Sequence, residues 1–503
     1  MMLKVIILFT FFCLVFPAIA HENALKNVVC IIGDDHAATV LGCYGNPVVK
    51  TPNLDKLASR GFMFTSAYAN APLCSASRQS LLTGLLPHAC GVTLLRTSFP
   101  EKQVTIAEHL KSFGFATGVI GKTHFNNSFS HGFEYRVTHA DYEKYIKGIP
   151  EDKWLYTGKS RPPWHPFQDP ARIWLNADML PSACHDNYDI GTYYAREAVS
   201  FINKNRDRRF CLWIGFNEPH SPFNFPPEFA GRYKPEEMPL PSGSPEDDRW
   251  VPLVFKDLTE DERRGIISSY YSSVTYLDKN VGIIIQAMEN IGLLDETLVI
   301  YIGDQGYLLN DHKRFEKHMM WEEAIRAPLL IHTRSQNDKG RKVSVLTEFI
   351  DLAPTILDLL GVPGMKNMQG ISLLPVIEDR ETFHKQYVFS EYLVDNKAMI
   401  RDREWKYIFS SGKRDLGQGY ATGNPPSGII HRLYHLTEDP KETRDVAVIP
   451  ENHAVLERMQ RALLKRFMDT DPRTAVLPAN LSVEEALVFF CNPPDKGADI
   501  NAK

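Results

Sequence analysis

Four short apolar runs, each broken off by charged or amide side chains, constrain this chain more than any other feature. They read "NVVCIIGDD", ending at Asp34 and Asp35; "ATGVIGKTH", ending at Lys122 and His124; "FCLWIGFNEPH", ending at Glu218 and His220; and "TLVIYIGDQG", ending at Asp304 and Gln305. A continuous apolar run without alternation is what a parallel strand buried on both faces requires. Helical stretches lie between them. "TPNLDKLASRG" opens on proline and closes on glycine, the usual helix punctuation. "TIAEHLKSFG" ends at Gly114, and residues 259–293 read as two further amphipathic stretches. This order predicts an α/β fold with a large, mainly parallel sheet flanked by helices. In such sheets ligands bind outside the carboxyl ends of the strands. One rim therefore collects Asp34, Asp35, Lys122, His124, His220, Asp304 and Gln305. Any one of these alone reads as a cap or loop residue; four runs ending alike point to a site.

The chain has 503 residues, too many for one ordinary core. From about residue 376 the texture changes: "QYVFSEYLV", "KAMIRD", "REWKYIFSS" and "HRLYHL" are short, aromatic and separated by turn residues. They read as antiparallel strands, and "ENHAVLERMQRALLKRFMDT" as an amphipathic helix. The expected division is a catalytic α/β domain over 21–375, a smaller α+β domain over 376–475 and an irregular tail over 476–503. The first twenty residues, "MMLKVIILFTFFCLVFPAIA", place a lysine before an apolar run that ends in small residues. That reads as a secretory signal peptide, too short for a spanning helix. The mature protein is expected to be exported without a membrane span. The net charge of −5 gives no basic footprint for nucleic acid. Without Cys13 of the signal, seven scattered cysteines remain. That odd count suggests one special thiol, with Cys30 and Cys211 as plain core residues.

Cys74 is the candidate. In "APLCSASRQSLLTG" it stands where a helix begins, four residues before Arg78. The unpaired N–H groups there favour an anion. The position suits a nucleophile, an anion-site residue or a small buried apolar one. Asp34, Asp35 and Asp304 crowded together repel unless a cation sits among them. With the amide oxygen of Gln305 they form an all-oxygen set suited to calcium or magnesium. Arg78, Lys122, His124, His220 and Lys317 make the other half of the pocket positive. Metal plus basic side chains describes a site for a tetrahedral oxyanion such as phosphate or sulfate.

These residues and their order resemble the type I, formylglycine-dependent sulfatases of the alkaline phosphatase superfamily. The signature C-x-[PA]-x-R running to T-G stands as "CSASRQSLLTG". The likeness continues through "DDHAATVLGCYG", "GVIGKTH", "EPHSPF", "GDQGYLLNDH", "KHMMWEEAIRAPLLI" and "LYHLTEDPKETRDVA". The resemblance implies an alkaline-phosphatase-like fold and hydrolysis of a sulfate ester on a sulfated sugar or glycan. It implies that a formylglycine-generating maturation enzyme oxidises Cys74 to formylglycine (3-oxoalanine), whose hydrate attacks sulfur. It implies one calcium ion held by Asp34, Asp35, Asp304, Gln305 and the modified Cys74. Arg78 then holds the formylglycine, Lys122 and Lys317 bind sulfate oxygens, His124 assists breakdown of the sulfated diol, and His220 protonates the leaving oxygen. His312 and Arg314 lie where family members often line the substrate subsite and His185 is a further candidate; each reads equally as a surface or loop residue. Gln305 departs from the commoner asparagine or histidine, and Ala76 from the commoner proline. The alternatives are a phosphodiesterase or phosphonate monoester hydrolase of the same superfamily, and a non-catalytic glycan-binding relative. Export to the periplasm, the medium or the lysosome fits equally.

Overall fold

All four apolar runs are strands, and three of them are buried at every position. The protein is described by a computed structural model that covers residues 25–166, 168–334, 340–412, 421–424 and 428–495. The signal segment expected at 1–20 lies outside the described residues. The main sheet has eight strands in the order Arg341–Val343, Phe62–Phe64, Leu329–His332, Thr297–Gly303, Asn27–Gly33, Phe210–Gly215, Ala116–Gly121, Tyr135–Val137. Leu329–His332 pairs antiparallel with both neighbours; every other pairing is parallel.

Helices cover both faces because each strand buries side chains in both directions. One apolar cluster packs Val28, Cys30, Ile32, Cys211 and Trp213 with Leu81, Ile106 and Ile356. The other packs Val29, Ile31, Leu212 and Ile214 with Leu54, Ala198 and Val281. Cys30 and Cys211 are core residues, and all seven described cysteines are free thiols. Residues 259–293, read from sequence as two helical stretches, contain one 31-residue helix, Glu260–Asn290, opened by a Thr259–Glu262 capping box. No glycine or proline kink interrupts it: Gly265 and Gly282 sit where Ala177 O and Asn53 leave no room for a Cβ.

The C-terminal strands form an antiparallel sheet, Val388–Tyr392, Lys397–Arg401, Trp405–Ser410, Ile430–His435, in sequence order. Helix His453–Thr470 packs on it through Met459, Leu463 and Phe467. The segment expected to be an irregular tail contains a further helix, Val483–Phe490, capped by Ser482 and Glu485. Its residues Leu487 and Phe490 bury into the same core. The polar flanks of this short apolar stretch hide it in the sequence. Among the described residues no helix is long and apolar enough to cross a membrane.

Candidate active site

The strand register brings the acids together. Gly33 pairs with Gly303, so the next residues, Asp34 and Asp304, leave adjacent parallel strands side by side. Backbone bonds continue the ladder beyond the strands: Asp304 N donates to Gly33 O at 3.0 Å, Asp34 N to Glu218 O at 3.0 Å and Lys122 N to Gly215 O at 2.8 Å. Four strand ends thus open onto one place. Asp35 turns back with φ of 64° and His124 with φ of 60°. Left-handed backbone costs a side-chain-bearing residue about 1–2 kcal/mol, and such strain concentrates at functional sites. The Asp35 turn is held by its N–H donating to Asp304 Oδ1 at 2.9 Å.

Cys74 is the first residue of helix Cys74–Thr83, which ends at Gly84 with φ of 68°. Every residue of this helix is buried, so its start is fixed from all sides. Cys74 Sγ lies 3.8 Å from Asp35 Oδ1, 3.2 Å from Gln305 Nε2 and 3.4 Å from Lys317 Nζ. One turn on, Arg78 reaches the same cluster: Nε donates to Asp304 Oδ2 at 2.8 Å, Nη1 to Lys122 O at 2.8 Å, and Nη2 lies 3.5 Å from Asp34 Oδ1. Gly215 makes room for this. A Cβ there would stand 2.1 Å from Lys122 O and 2.8 Å from Arg78 Nη1. Ser77, inside the motif but given no role in the sequence reading, donates its hydroxyl to Asp304 O.

The cations pair with the acids. Lys122 Nζ bonds Asp34, and Lys317 Nζ bonds both oxygens of Asp35. His220 Nε2 lies 3.6 Å from Asp35 Oδ2, its Nδ1 bonds Ser221 O at 2.7 Å, and its side chain keeps 30% exposure. Burial alone would raise the Asp34 pKa, but Lys122, His220, Arg78 and Lys317 hold it well below the carboxylate range. Asp304 goes the other way. Burial and the charge of Asp34 push it up to about 7, against Arg78. Burial pushes the Cys74 thiol up, against Lys122 and Lys317. Burial and Lys122 push His124 down to about 3, so its imidazole is neutral at neutral pH. Burial and Lys317 also push His220 down.

The donor set fits a hard cation. One ligand atom from each of Asp34, Asp35, Cys74 and Asp304 lies within 4.8 Å of all the others, in a fully buried group. Asp34 Oδ1 and Gln305 Oε1 are buried without a hydrogen bond. Gln305 Nε2 faces Asp35; a half-turn of the amide presents the oxygen to the acids instead. Oxygen-rich, anionic and partly uncommitted, this is the kind of cage that suits calcium or magnesium better than zinc.

The three outlying candidates are engaged elsewhere. His185 pairs with Glu228 at 2.8 Å, both side chains well exposed. His312 is buried, with Nδ1 2.8 Å from Asp247 Oδ1 and its ring stacked on Trp321 at 3.9 Å. Arg314 is buried and donates to Trp250 O at 2.8 Å. The sequence reading also gave no place to Glu218. It is fully buried, and burial together with Asp189 pushes it up to about 8. Its only sequence signal is its position two residues before His220.

Comparison with known proteins agrees with this geometry. Residues 26–362 match the sulfatase family model, and residues 310–469 match the C-terminal model of N-sulphoglucosamine sulphohydrolase. The N-acetylglucosamine-6-O-sulfatase of Bacteroides thetaiotaomicron is 26% identical over 90% of this chain and 88% of its own length. A protein solved with its substrate D-glucosamine-2-N,6-O-disulfate superposes with a TM-score of 0.70 at 21% identity, covering 89% of this chain and 99% of that one. The phosphonate monoester hydrolase of Agrobacterium radiobacter gives a TM-score of 0.75 at 22% identity, covering 88% and 96%. The solved structures speak to the fold alone; the family model spans most of the chain and every strand end that builds the pocket. This chain belongs to the sulfatase family, enzymes that hydrolyse sulfuric esters.

Proposed function

We propose that the substrate is a sulfate ester on a sugar or glycan and that Cys74, once oxidised to formylglycine, carries the attacking oxygen. The observation that supports this reading most is the company Cys74 keeps. A thiol with a raised pKa, buried against three acids and within 3.4 Å of Lys317 Nζ, is a poor nucleophile as it stands. Thiolate character, not burial, makes a cysteine reactive. Replacing the thiol by an aldehyde hydrate puts a hydroxyl oxygen in the same place, within a cage of oxygens.

Asp34, Asp35, Asp304 and Gln305 would hold one calcium ion. The ion would supply positive charge that acidifies a bound hydroxyl and offsets charge building on sulfate oxygens. The remaining work falls to side chains. Arg78 holds Asp304 and the strand ends in register. Lys122 and Lys317, on flexible stems, leave their carboxylates to bind sulfate oxygens. His220 sits at the partly open edge of the pocket and protonates the departing sugar oxygen; its lowered pKa makes it a ready donor once charged. His124, neutral, accepts a proton as the sulfated hydrate breaks down. Residues 1–20 support an exported enzyme, and maturation of Cys74 requires a formylglycine-generating partner.

The test combines chemistry and turnover. Peptide mass spectrometry of active protein should show the Cys74 thiol replaced by an aldehyde or its hydrate. The same preparation should release sulfate from defined sulfated amino sugars faster than it cleaves phosphonate monoesters or phosphodiesters. Full turnover with wholly unmodified Cys74 removes the nucleophile assignment. Preference for the phosphorus esters favours the phosphonate hydrolase reading that the fold likeness leaves open.

A further inference from the structure

Outside the pocket a group of mainly positive charges surrounds a cavity of about 280 Å3 lined by Lys159, Arg161, Arg172 and Asp178 among others. It carries three cations to one acid. Its wall is tied to the turn that holds His220: Arg161 Nη1 donates to Pro222 O at 3.2 Å and Nη2 to Asn224 Oδ1 at 3.4 Å. Both are long, neutral-acceptor bonds, and among the described residues no carboxylate lies within ion-pair distance of this guanidinium. Burial accordingly pushes Arg161 down to about 10, with Asp189 only partly opposing. A guanidinium removed from water without a counter-ion is costly, and an incoming anion relieves that cost.

Its two neighbours are similarly uncommitted. Arg172 Nη1 is 4.0 Å from Asp178 Oδ2 and Nε is 3.9 Å from Glu262 Oε1, at the outer limit of an ion pair. Lys159 has no ion pair among the described residues and is exposed. The volume lies just below the usual range of small-molecule sites, which suits one substituted ring and not a chain. Among the described residues no carboxylate other than Asp178 lines the cavity, so its chemistry selects for negative charge.

We propose that this cavity is a second anion subsite, which takes the sulfate or carboxylate group of the sugar unit adjoining the one cleaved. The inference rests on the sulfated-glycan reading above and narrows it to substrates with anionic groups on neighbouring units. Lys159 and Arg172 are its specificity residues; Arg161 forms its floor and is left intact in the test because it also holds the turn behind His220.

The experiment is equilibrium binding by calorimetry to the full chain carrying Cys74→Ala, which cannot turn over. The probes are a sulfated monosaccharide, a tetrasaccharide sulfated on adjacent units, and inorganic sulfate. The tetrasaccharide should bind about tenfold tighter than the monosaccharide, as expected for two partly exposed charge contacts. Lys159→Ala/Arg172→Ala should remove that preference. Equal affinities for the two sugars, a preference that survives the double substitution, or a gain seen with inorganic sulfate alone overturns the subsite. Sulfate release from nitrophenyl sulfate by protein with intact Cys74, assayed separately, tests the sulfatase chemistry: release with no tetrasaccharide preference keeps the activity and discards this cavity. The preference without release keeps the cavity and discards the activity.

Discussion

Two buried charge clusters lie in this molecule, and they are built on opposite plans. The first joins helix Glu322–Ile325 to the C-terminal antiparallel sheet. Lys406 Nζ lies 2.8 Å from Glu322 Oε1 and 2.8 Å from Glu442 Oε1, and Arg401 Nη1 lies 3.0 Å from Glu322 Oε1. Glu322 Oε2 accepts from Tyr68 at 2.8 Å, and Glu442 Oε2 accepts the Glu322 N–H at 2.6 Å. Two acids meet two cations, three of the four carried on strands or a helix. The second cluster is the pocket around Cys74. It also balances, three acids against Arg78, Lys122 and Lys317, but its acids and lysines stand on loops beyond strand ends, with Arg78 alone on a helix. Two residues at its strand ends, Asp35 and His124, are strained. Burying an ion costs several kcal/mol unless geometry and hydrogen bonds compensate. The cluster at the C-terminal sheet pairs charge with charge where it stands. The pocket is compensated by lysines that, on the proposed function, leave their carboxylates for a substrate anion. One cluster fixes a structure; the other stores interactions for a ligand.

The contrast can be broken most directly at Asp304. Asp304→Ala should lower kcat/KM for a sugar sulfate by about 10³-fold or more, since it removes both metal affinity and charge stabilisation of the attacking oxygen. Its effect on thermal stability should be small, because Asp304 is held against its own burial and the charge of Asp34. A large drop in Tm with kinetics intact would reverse the roles of the two clusters. The mirror experiment is Lys406→Met. It leaves Glu442 buried without its cation, while Glu322 keeps Arg401, and should cost about 3–5 kcal/mol in urea unfolding, with kcat/KM of the folded fraction within about twofold of the parent. Loss of activity at unchanged stability would place the cluster at the C-terminal sheet in catalysis.

A finer cut lies within the pocket. His220→Ala should slow hydrolysis of a sugar sulfate about 10²-fold or more, as expected for removal of a positioned acid. It should slow nitrophenyl sulfate far less, because that leaving group needs no proton. Lys122→Ala should affect both substrates alike, since it meets the sulfate they share. Equal losses for His220→Ala on the two substrates would leave it as a sulfate-binding group.

The smallest effect concerns pH. Asp304 is raised to about 7, so protons compete with a cation for it as pH falls through that value; a metal binds the deprotonated form. Calcium affinity of chelator-treated protein, measured by calorimetry, should be about tenfold weaker at pH 5.5 than at 7.5. The sign for folding is opposite. A raised carboxylate pKa stabilises the metal-free fold below the unfolded value and loses that contribution as pH rises toward 7. An affinity independent of pH would mean that Asp304 is not a ligand.

Much of the pocket was legible in the sequence because its residues belong to local patterns. A buried parallel strand must be continuously apolar, so its end is visible, and Asp34, Lys122, His220 and Asp304 are read from there. Cys74 and Arg78 are legible as one turn of a helix opened after a proline-containing stretch. What the sequence left open or missed shares a cause. His312 and Arg314 sit in a promising stretch, yet His312 is committed to Trp321 and Asp247 and Arg314 to Trp250 O, partners far away in sequence. Helix Val483–Phe490 is too short to be stable alone and exists because Leu487 and Phe490 find the core under helix His453–Thr470.

By itself the sequence determined the main strands, the sheet class, the rim on which the candidate residues lie and the candidate cysteine at a helix start. These follow from apolar periodicity and from chain neighbours, both local. Only the tertiary structure decided which lysine meets which aspartate, that Asp34 and Asp304 shift in opposite directions, and that among the described residues no carboxylate comes within ion-pair distance of Arg161 beside the His220 turn. Those outcomes depend on burial and on charges brought within a few ångströms from distant parts of the chain. Electrostatic energy is set by such distances and by exclusion of water, and neither is written in the order of residues.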